Sequence, residues 1–239
     1  MTGEPTRPTP APTGQEGAAG QQGAGWLDDG LAREWAQGDR MEGLLTLPRR
    51  ITADVLALGE RPVRTVVDVG SGPGIFLATM LDVLPEASGI WTDVSPAMRT
   101  LAGEHLQRFG DRVAYRALSA TDLAAVGSPG SVDAVVTSRV THHLSTPDLG
   151  RFYADADRLL GEWGWIANLD HVAMPGGWGP RLAGARARVV PPNPSPHRHD
   201  RPHPPLEDHL AAIEALGDLD VVVAWRAYAT VLILAVRGA

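Results

Sequence analysis

The sequence predicts an α/β fold in which a mostly parallel, seven-stranded sheet carries helices on both faces. Three observations predict it. β-Branched apolar runs alternate with segments of helical period from residue 65 to residue 216. The first run ends in a cluster of glycines, as where a strand turns sharply into a helix. The last two runs are separated by only about four residues, too few for a parallel crossover. They are expected to pair as an antiparallel hairpin, giving the sheet one reversed edge strand.

The elements follow in order. Residues 2–25 hold no Val, Ile, Leu or aromatic residue. Such a segment cannot offset its ordering entropy by burial, so 1–25 reads as a disordered tail and 26–239 as one domain. Leu27, Leu31 and Trp35 have helical spacing, and Pro48 to Leu58 reads as a further helix with Ile51, Val55 and Leu58 inward. Strands are expected at 65–69, 89–94, 113–118, 132–138, 165–169, 220–225 and 230–236. Helices are expected at 75–84, 96–109, 147–160 and 206–216. Residues 172–204 break the alternation with Pro, Gly, Arg and His in no clear period, and read as a long loop of the lid or substrate-binding kind.

Composition excludes several chemistries. The 239 residues suffice for one sizeable core, and 44% are hydrophobic. There is no cysteine, and all 21 basic Lys+Arg positions are arginine. Thiolate nucleophiles, disulfides, Cys-zinc sites, Schiff-base lysines and the P-loop lysine are therefore ruled out. The net charge of −7 argues against a broad nucleic-acid face. No signal peptide is recognised at the start, and the apolar run Ala227 to Val236 is too short to span a bilayer, so a cytoplasmic protein without membrane contact is expected.

The sharpest motif is Val66-Val67-Asp68-Val69-Gly70-Ser71-Gly72-Pro73-Gly74-Ile75-Phe76. A buried strand runs into G-x-G-x-G and opens a helix whose N-terminal amides have no partner within it. The dinucleotide fingerprint G-x-G-x-x-G fails in every register, because Ile75 and Leu77 stand where glycine is required. Nineteen residues past Gly74, the second strand ends in Asp93, placed to accept ribose hydroxyls. The third strand is followed by Ser119-Ala120-Thr121-Asp122-Leu123, where a carboxylate could meet an adenine amino group.

Together with Val132-Asp133-Ala134-Val135-Val136 leading to Ser138, and the terminal hairpin, these residues resemble the class I S-adenosylmethionine-dependent methyltransferases. The likeness is to the small-molecule type, similar to bacterial trans-aconitate and wobble-uridine methyltransferase relatives. It covers roughly 44–170 and 205–239 and implies a Rossmann-like fold with S-adenosyl-L-methionine as cofactor. One departure is Leu159-Leu160-Gly161-Glu162-Trp163-Gly164, which lacks the family's Pro-Gly-Gly before strand five. The resemblance implies that Asp68, Gly70, Ser71, Gly72, Pro73 and Gly74 surround the methionine portion. Asp93 would hold the ribose, with Val94 and Met98 near the adenosine. Thr121, Asp122 and Leu123 would frame the adenine, and Ser138 and Arg139 would border the methionine part.

The acceptor side follows from the ends of strands four and five, where open parallel sheets deliver active residues. They read Ser138-Arg139-Val140-Thr141-His142-His143-Leu144 and Asp170-His171. Methyl transfer to a hydroxyl needs a proton removed, and histidine titrates in the useful range. His142, placed like the base of plant-type O-methyltransferases, is the expected catalytic base, with Asp170 and His171 assisting. His143 is expected to be structural or to face the cofactor. Arg181, Arg186, Arg188, Arg198 and Arg201, with His197, His199 and His203, populate the loop; Pro202, Pro204 and Pro205 exclude a regular helix presenting those histidines to a metal, so none is expected. Trp26, Trp35, Arg40 and Met41 could close over the cofactor or simply pack.

The expected function is methyl transfer to oxygen of a small molecule, in secondary metabolism such as antibiotic biosynthesis, with a homodimer as the expected assembly. N- or C-methylation, tRNA modification, or a non-methylating protein such as a cyclase on the same fold are the alternatives.

Overall fold

The structure, a computed structural model, describes Gly30 and residues 42–174, 176–189 and 202–238. The expected tail, Trp26, Trp35, Arg40, Met41, His197, His199, Arg198 and Arg201 lie outside the described residues.

Seven strands form one sheet: β1 (Thr65–Val69), β2 (Ser88–Asp93), β3 (Val113–Ala117), β4 (Val132–Ser138), β5 (Leu160–His171), β6 (Leu219–Ala227) and β7 (Thr230–Arg237). Their order is β3-β2-β1-β4-β5-β7-β6. β1 to β5 pair in parallel, and β7 runs antiparallel to both β5 and β6. The reversed strand is therefore not an edge strand, as the hairpin alone suggested. It is inserted between β5 and β6. Every side chain from Thr230 to Ala235 is buried, as an interior strand requires, whereas β6 alternates.

The α-helices lying wholly within the described residues are α1 (Glu42–Ala57), α2 (Ile75–Val83), α3 (Pro96–Leu106), α4 (Thr146–Leu159), α5 (Trp178–Val189) and α6 (Leu206–Glu214). One apolar layer joins α1, α2 and α3 to the sheet through Leu45, Leu56, Phe76, Met80, Trp91 and Leu106. The other joins α4 and α6 to its opposite face through Val135, Phe152, Tyr153, Ile213 and Ile233.

Three expectations need correction. α1 is continuous through Pro48 rather than starting there. An interior proline costs about 3 kcal/mol, but Leu45, Ala53 and Leu56 are fully buried on one stripe, each contributing about 1.5–3 kcal/mol for the larger side chains. Leu58 lies past the end of α1 and is exposed rather than inward. The 172–204 stretch also contains a regular element, α5. Its Ala, Leu and Arg content favours helix, and Pro180 falls in the first turn, where no amide is missed.

The turn lacking Pro-Gly-Gly is rebuilt as a register jump. Val132 pairs with Leu160, but Ala134 pairs with Trp165. Trp163 takes a left-handed backbone (φ 63°), and a Cβ on Gly164 would come within 2.7 Å of the Leu160 Cβ. The start of β4 is fixed separately: the Asp133 carboxylate accepts the Arg64 and Thr65 amides, each at 2.8 Å, and so sets β1 beside β4.

Candidate active site

The strand order reverses between β1 and β4, and the crevice at such a switch point is where open α/β sheets bind ligands. The Gly70–Gly74 turn leaves β1 there, and Ser138-Arg139 leaves β4. Between them lies a solvent-open cleft of about 330 Å³ lined by Arg49, Asp68, Gly70, Ser71, Gly72, Pro73, Ile75, Phe76, Ser138 and Arg139.

Each glycine of the turn has positive φ: 59° at Gly70, 54° at Gly72 and 82° at Gly74. Sterics sharpen the demand at two of them. A Cβ on Gly70 would stand 2.4 Å from Val140 Cγ2, and one on Gly74 would stand 2.8 Å from Leu106 Cδ1. A Cβ on Gly72 would meet nothing closer than Met98 Sδ at 3.9 Å. Gly72 is thus bare toward open space.

Two carboxylates hold the turn, Asp68 buried and Asp93 half-buried. Asp68 Oδ2 accepts from Ser71 Oγ at 2.5 Å and from the Leu77 amide at 3.1 Å. Burial pushes its pKa up to about 7, against the opposing pull of Ser71 and the Arg49 charge. Asp93 Oδ2 accepts the Gly72 amide and Oδ1 the Ser95 amide, each at 2.9 Å. Burial raises its pKa as well, with those amides pulling the other way. Ser95 caps α3 by accepting the Met98 amide, so Asp93 is not the helix cap.

The other expected cofactor residues are distributed around this turn. Met98 is buried beside Gly72. Thr121 and Asp122 are exposed on a 3-10 turn after β3. Leu123 has its side chain buried in the core layer of Val67 and Val135, which leaves its backbone to frame a ligand. Val94 directly follows β2. His143 packs against His142, their ring centres 3.9 Å apart, just past the end of β4.

That rim brings together every residue expected to be catalytic. His142 Nδ1 lies 2.5 Å from Asp170 Oδ1, with both side chains buried. Asp170 Oδ2 accepts from Thr141 Oγ1 at 2.6 Å and from the Val140 and His142 amides at 3.0 Å each; Oδ1 also accepts the His171 amide at 2.6 Å. Burial works to raise the pKa of Asp170, but His142, His171 and Thr141 together hold it well below the usual carboxylate range. An ionised carboxylate has no proton to give, so Nδ1 of neutral His142 carries the hydrogen and the lone pair is on Nε2.

His171 plays a different part. Burial drives its pKa down to about 3, despite Asp170. It remains neutral near pH 7 and is too weakly basic to take up a proton there. Its Nδ1 lies 3.2 Å from Thr230 Oγ1 on β7. His203, read as a loop residue, stacks on His171 with centres 5.7 Å apart and planes 17° apart, and lies 5.2 Å from the His142 ring. The Ala173 amide bonds the Pro204 carbonyl and draws the 202–205 segment over the end of β5. Rings stacked in this way do not converge on a common point, and among the described residues no group of three metal-ligating side chains does.

Arg49 is the residue that sequence reasoning passed over. It is 4% exposed and its guanidinium carbon lies 5.9 Å from the Phe76 ring centre. The signal was available: Arg49 shares the i, i+4 stripe of Leu45 and Ala53, so it faces inward, whereas its neighbour Arg50 pairs with Asp54 at the surface.

Residues 66–164 match the family model of the methyltransferase domain. Over that stretch the chain is similar to methyltransferase domains. It is similar to the ubiquinone biosynthesis O-methyltransferase of Methylococcus capsulatus, 37% identical over 103 residues, which are 43% of this chain and 41% of that protein. The protein of that name from Burkholderia thailandensis is 30% identical over 105 residues, 44% of this chain and 43% of that one. The chain thus spans well under half the length of these relatives. Among solved structures, an O-methyltransferase family protein from Burkholderia thailandensis shares the fold with TM-score 0.66 at 23% identity, over 92% of this chain and 64% of that one. Human N-acetylserotonin methyltransferase, solved with SAM, has TM-score 0.66 at 15% identity, over 93% of this chain and 60% of that one. The match to the methyltransferase domain begins on β1 and ends at the register jump in β5. It includes the glycine turn, Asp93 and the His142 segment, while Arg49, Asp170 and His171 lie outside it.

Proposed function

We propose that the protein uses S-adenosyl-L-methionine to methylate an oxygen, hydroxyl or carboxyl, of a small molecule. The observation that carries this reading is the His142–Asp170 pair standing on the same sheet edge as the glycine-turn cleft.

The cleft fits the cofactor on its own features. Gly72 leaves open space where a side chain would intrude. Ser138 lines the cleft, and its Oγ is buried with no hydrogen-bond partner among the described residues. Asp93 keeps lone pairs beyond the two amides it binds, enough for ribose hydroxyls. Arg49 supplies a buried cation suited to the cofactor's carboxylate, and Asp68 a carboxylate near its amino group. When bound, the cofactor supplies an electrophilic methyl on a sulfonium, whose departure needs no acid.

The chain's own residues then have defined tasks. His142 Nε2 takes the proton of the acceptor hydroxyl. Asp170 holds the ring in the Nδ1–H tautomer and balances the positive charge that the ring gains. His171, kept neutral by burial, and His203, stacked on it, shape the acceptor side and keep water away from the pair. Alignment of acceptor and methyl supplies much of the remaining rate. The relatives named as O-methyltransferases support oxygen as the acceptor atom.

The test is transfer of a labelled methyl from S-adenosyl-L-methionine to a panel of phenols and small carboxylic acids. Release of S-adenosylhomocysteine with at least one of them, lost about 10²-fold or more in His142→Ala, is the expected result. Undiminished transfer by the variant would overturn His142 as the base, and no transfer to any of them would move the reading to N- or C-methylation.

A further inference from the structure

Beneath the His142–Asp170 pair runs a chain of polar side chains that the transfer itself does not touch. Thr141, Asn168, Tyr153 and His209 are each 0% exposed. They come from the segment after β4, from β5, from α4 and from α6, and Tyr153 lies within the apolar layer built around Ile213 and Phe152. Packing alone would be served by aliphatic residues at these positions.

The hydrogen bonds of this chain have a direction. The Asn168 Nδ2 amide lies 2.9 Å from Thr141 Oγ1 and 2.8 Å from Tyr153 Oη. Its two hydrogens fill an acceptor site on each hydroxyl. Each hydroxyl must then send its own hydrogen outward. Thr141 sends it to Asp170 Oδ2, at 2.6 Å, the nearer of two acceptors, Asn168 Oδ1 being 3.3 Å away. Tyr153 sends it to His209 Nδ1, at 2.9 Å.

His209 closes the argument. To accept from Tyr153 it must be neutral with its hydrogen on Nε2, and burial lowers its pKa in keeping with that. The cost is visible: His209 Nε2 is buried with no hydrogen-bond partner among the described residues. A histidine kept in the core with one nitrogen unsatisfied implies that its other nitrogen is needed.

We propose that Thr141 and Asn168 are positioning residues, held by Tyr153 and His209, that lock the Asp170 carboxylate against His142 Nδ1. This rests on the reading of His142 as the base. Asn168 Nδ2 holds the Thr141 oxygen from one side, and the contact to Asp170 Oδ2 at 2.6 Å outcompetes the one to Asn168 Oδ1 at 3.3 Å, so the hydroxyl stays on Oδ2 and Oδ1 is left for the imidazole. His209 takes the Tyr153 hydrogen, which keeps the Tyr153 oxygen turned to Asn168. The selectivity of the arrangement is rotational: it allows one orientation of the carboxylate and one tautomer of His142.

The test uses the free, full-length, ¹⁵N-labelled protein and long-range ¹H–¹⁵N correlation of the histidine rings. Neither cofactor nor acceptor is needed, so the result is independent of whether methyl is transferred. In the wild type, His142 is expected as the Nδ1–H tautomer with a low-field Nδ1 proton, and His209 as the Nε2–H tautomer. In Thr141→Val the His142 Nδ1 proton should shift or broaden and its tautomers mix, whereas Thr141→Ser restores the wild-type signal. Tyr153→Phe, which keeps the ring and guards against a misfolded valine variant, should change the His209 Nδ1 shift and perturb the His142 signal in turn. A His142 signal unaltered in both Thr141→Val and Tyr153→Phe overturns the proposal. So does a wild-type His209 protonated on Nδ1.

Discussion

Asp93, the last residue of β2, reaches across to Gly72 and accepts its backbone amide at 2.9 Å. The residue expected to hold a sugar therefore also holds the turn that faces it. Its second oxygen takes the Ser95 amide, so both carboxylate oxygens are committed to N–H donors.

Asparagine cannot copy this, because its NH₂ would face one of two N–H groups. Asp93→Asn is therefore expected to lose affinity for S-adenosyl-L-methionine nearly as much as Asp93→Ala, by roughly tenfold or more, in line with one or two lost hydrogen bonds. Titration calorimetry of the three proteins checks this, and equal affinities would refute it.

The glycine turn separates folding from binding. Gly70→Ala adds a Cβ 2.4 Å from Val140 in a left-handed backbone, and should cost stability on the order of 1–3 kcal/mol in urea unfolding. Gly72→Ala carries the backbone strain without the clash and should cost about 1 kcal/mol. It should nevertheless weaken cofactor binding the more, because its methyl enters the cleft. The reverse ranking would show that Gly72 does not face the ligand.

Asp68 and His171 bend the pH dependence of stability in opposite directions. The pKa of Asp68 rises from 3.8 to about 7 on folding, so between those values the native state holds more protons and stability falls as pH rises. The pKa of His171 falls from 6.5 to about 3, so between those values the native state holds fewer protons and stability falls as pH drops. From about pH 4 to 6.5 the two slopes oppose each other. In Asp68→Asn, stability should climb with pH through this window more steeply than in the wild type. In His171→Asn it should decline by comparison. Urea unfolding at half-unit pH steps measures both, and parallel curves for all three proteins would contradict the assignment.

Arg49 has a testable charge. Arg49→Met keeps the bulk of the side chain on the buried stripe of α1 but removes the cation from the cleft. Affinity for S-adenosyl-L-methionine should fall by roughly tenfold or more, while affinity for adenosine, which has no carboxylate, should not change. Equal losses for both ligands would make Arg49 a structural residue.

Much of this site was legible from the chain alone. Gly70, Gly72 and Gly74 after a buried strand, and Asp93 at the end of the next, declare a tight turn and a carboxylate at one sheet edge. His142 and Asp170 could be paired because adjacent parallel strands present their ends together. What escaped depended on partners distant in sequence. The place of β7 between β5 and β6 is set by which edge the hairpin joins, and the hairpin itself does not specify that. His203 reaches His171 only through the bond from Ala173 to Pro204. Leu123 turns inward because the 3-10 turn after β3 rotates it toward Val67, a choice that its spacing from Asp122 does not encode. Arg49 was overlooked because a charge on an apolar stripe reads as an interruption, when here it is what the helix presents to the cleft.

A crystal structure with S-adenosylhomocysteine tests the central claim most directly. The account predicts the ligand in the crevice between residues 70–74 and Ser138-Arg139, its sugar hydroxyls on Asp93 and its amino-acid end toward Asp68 and Arg49. Density elsewhere on the protein, or a crevice left without the ligand at saturating concentration, would contradict it.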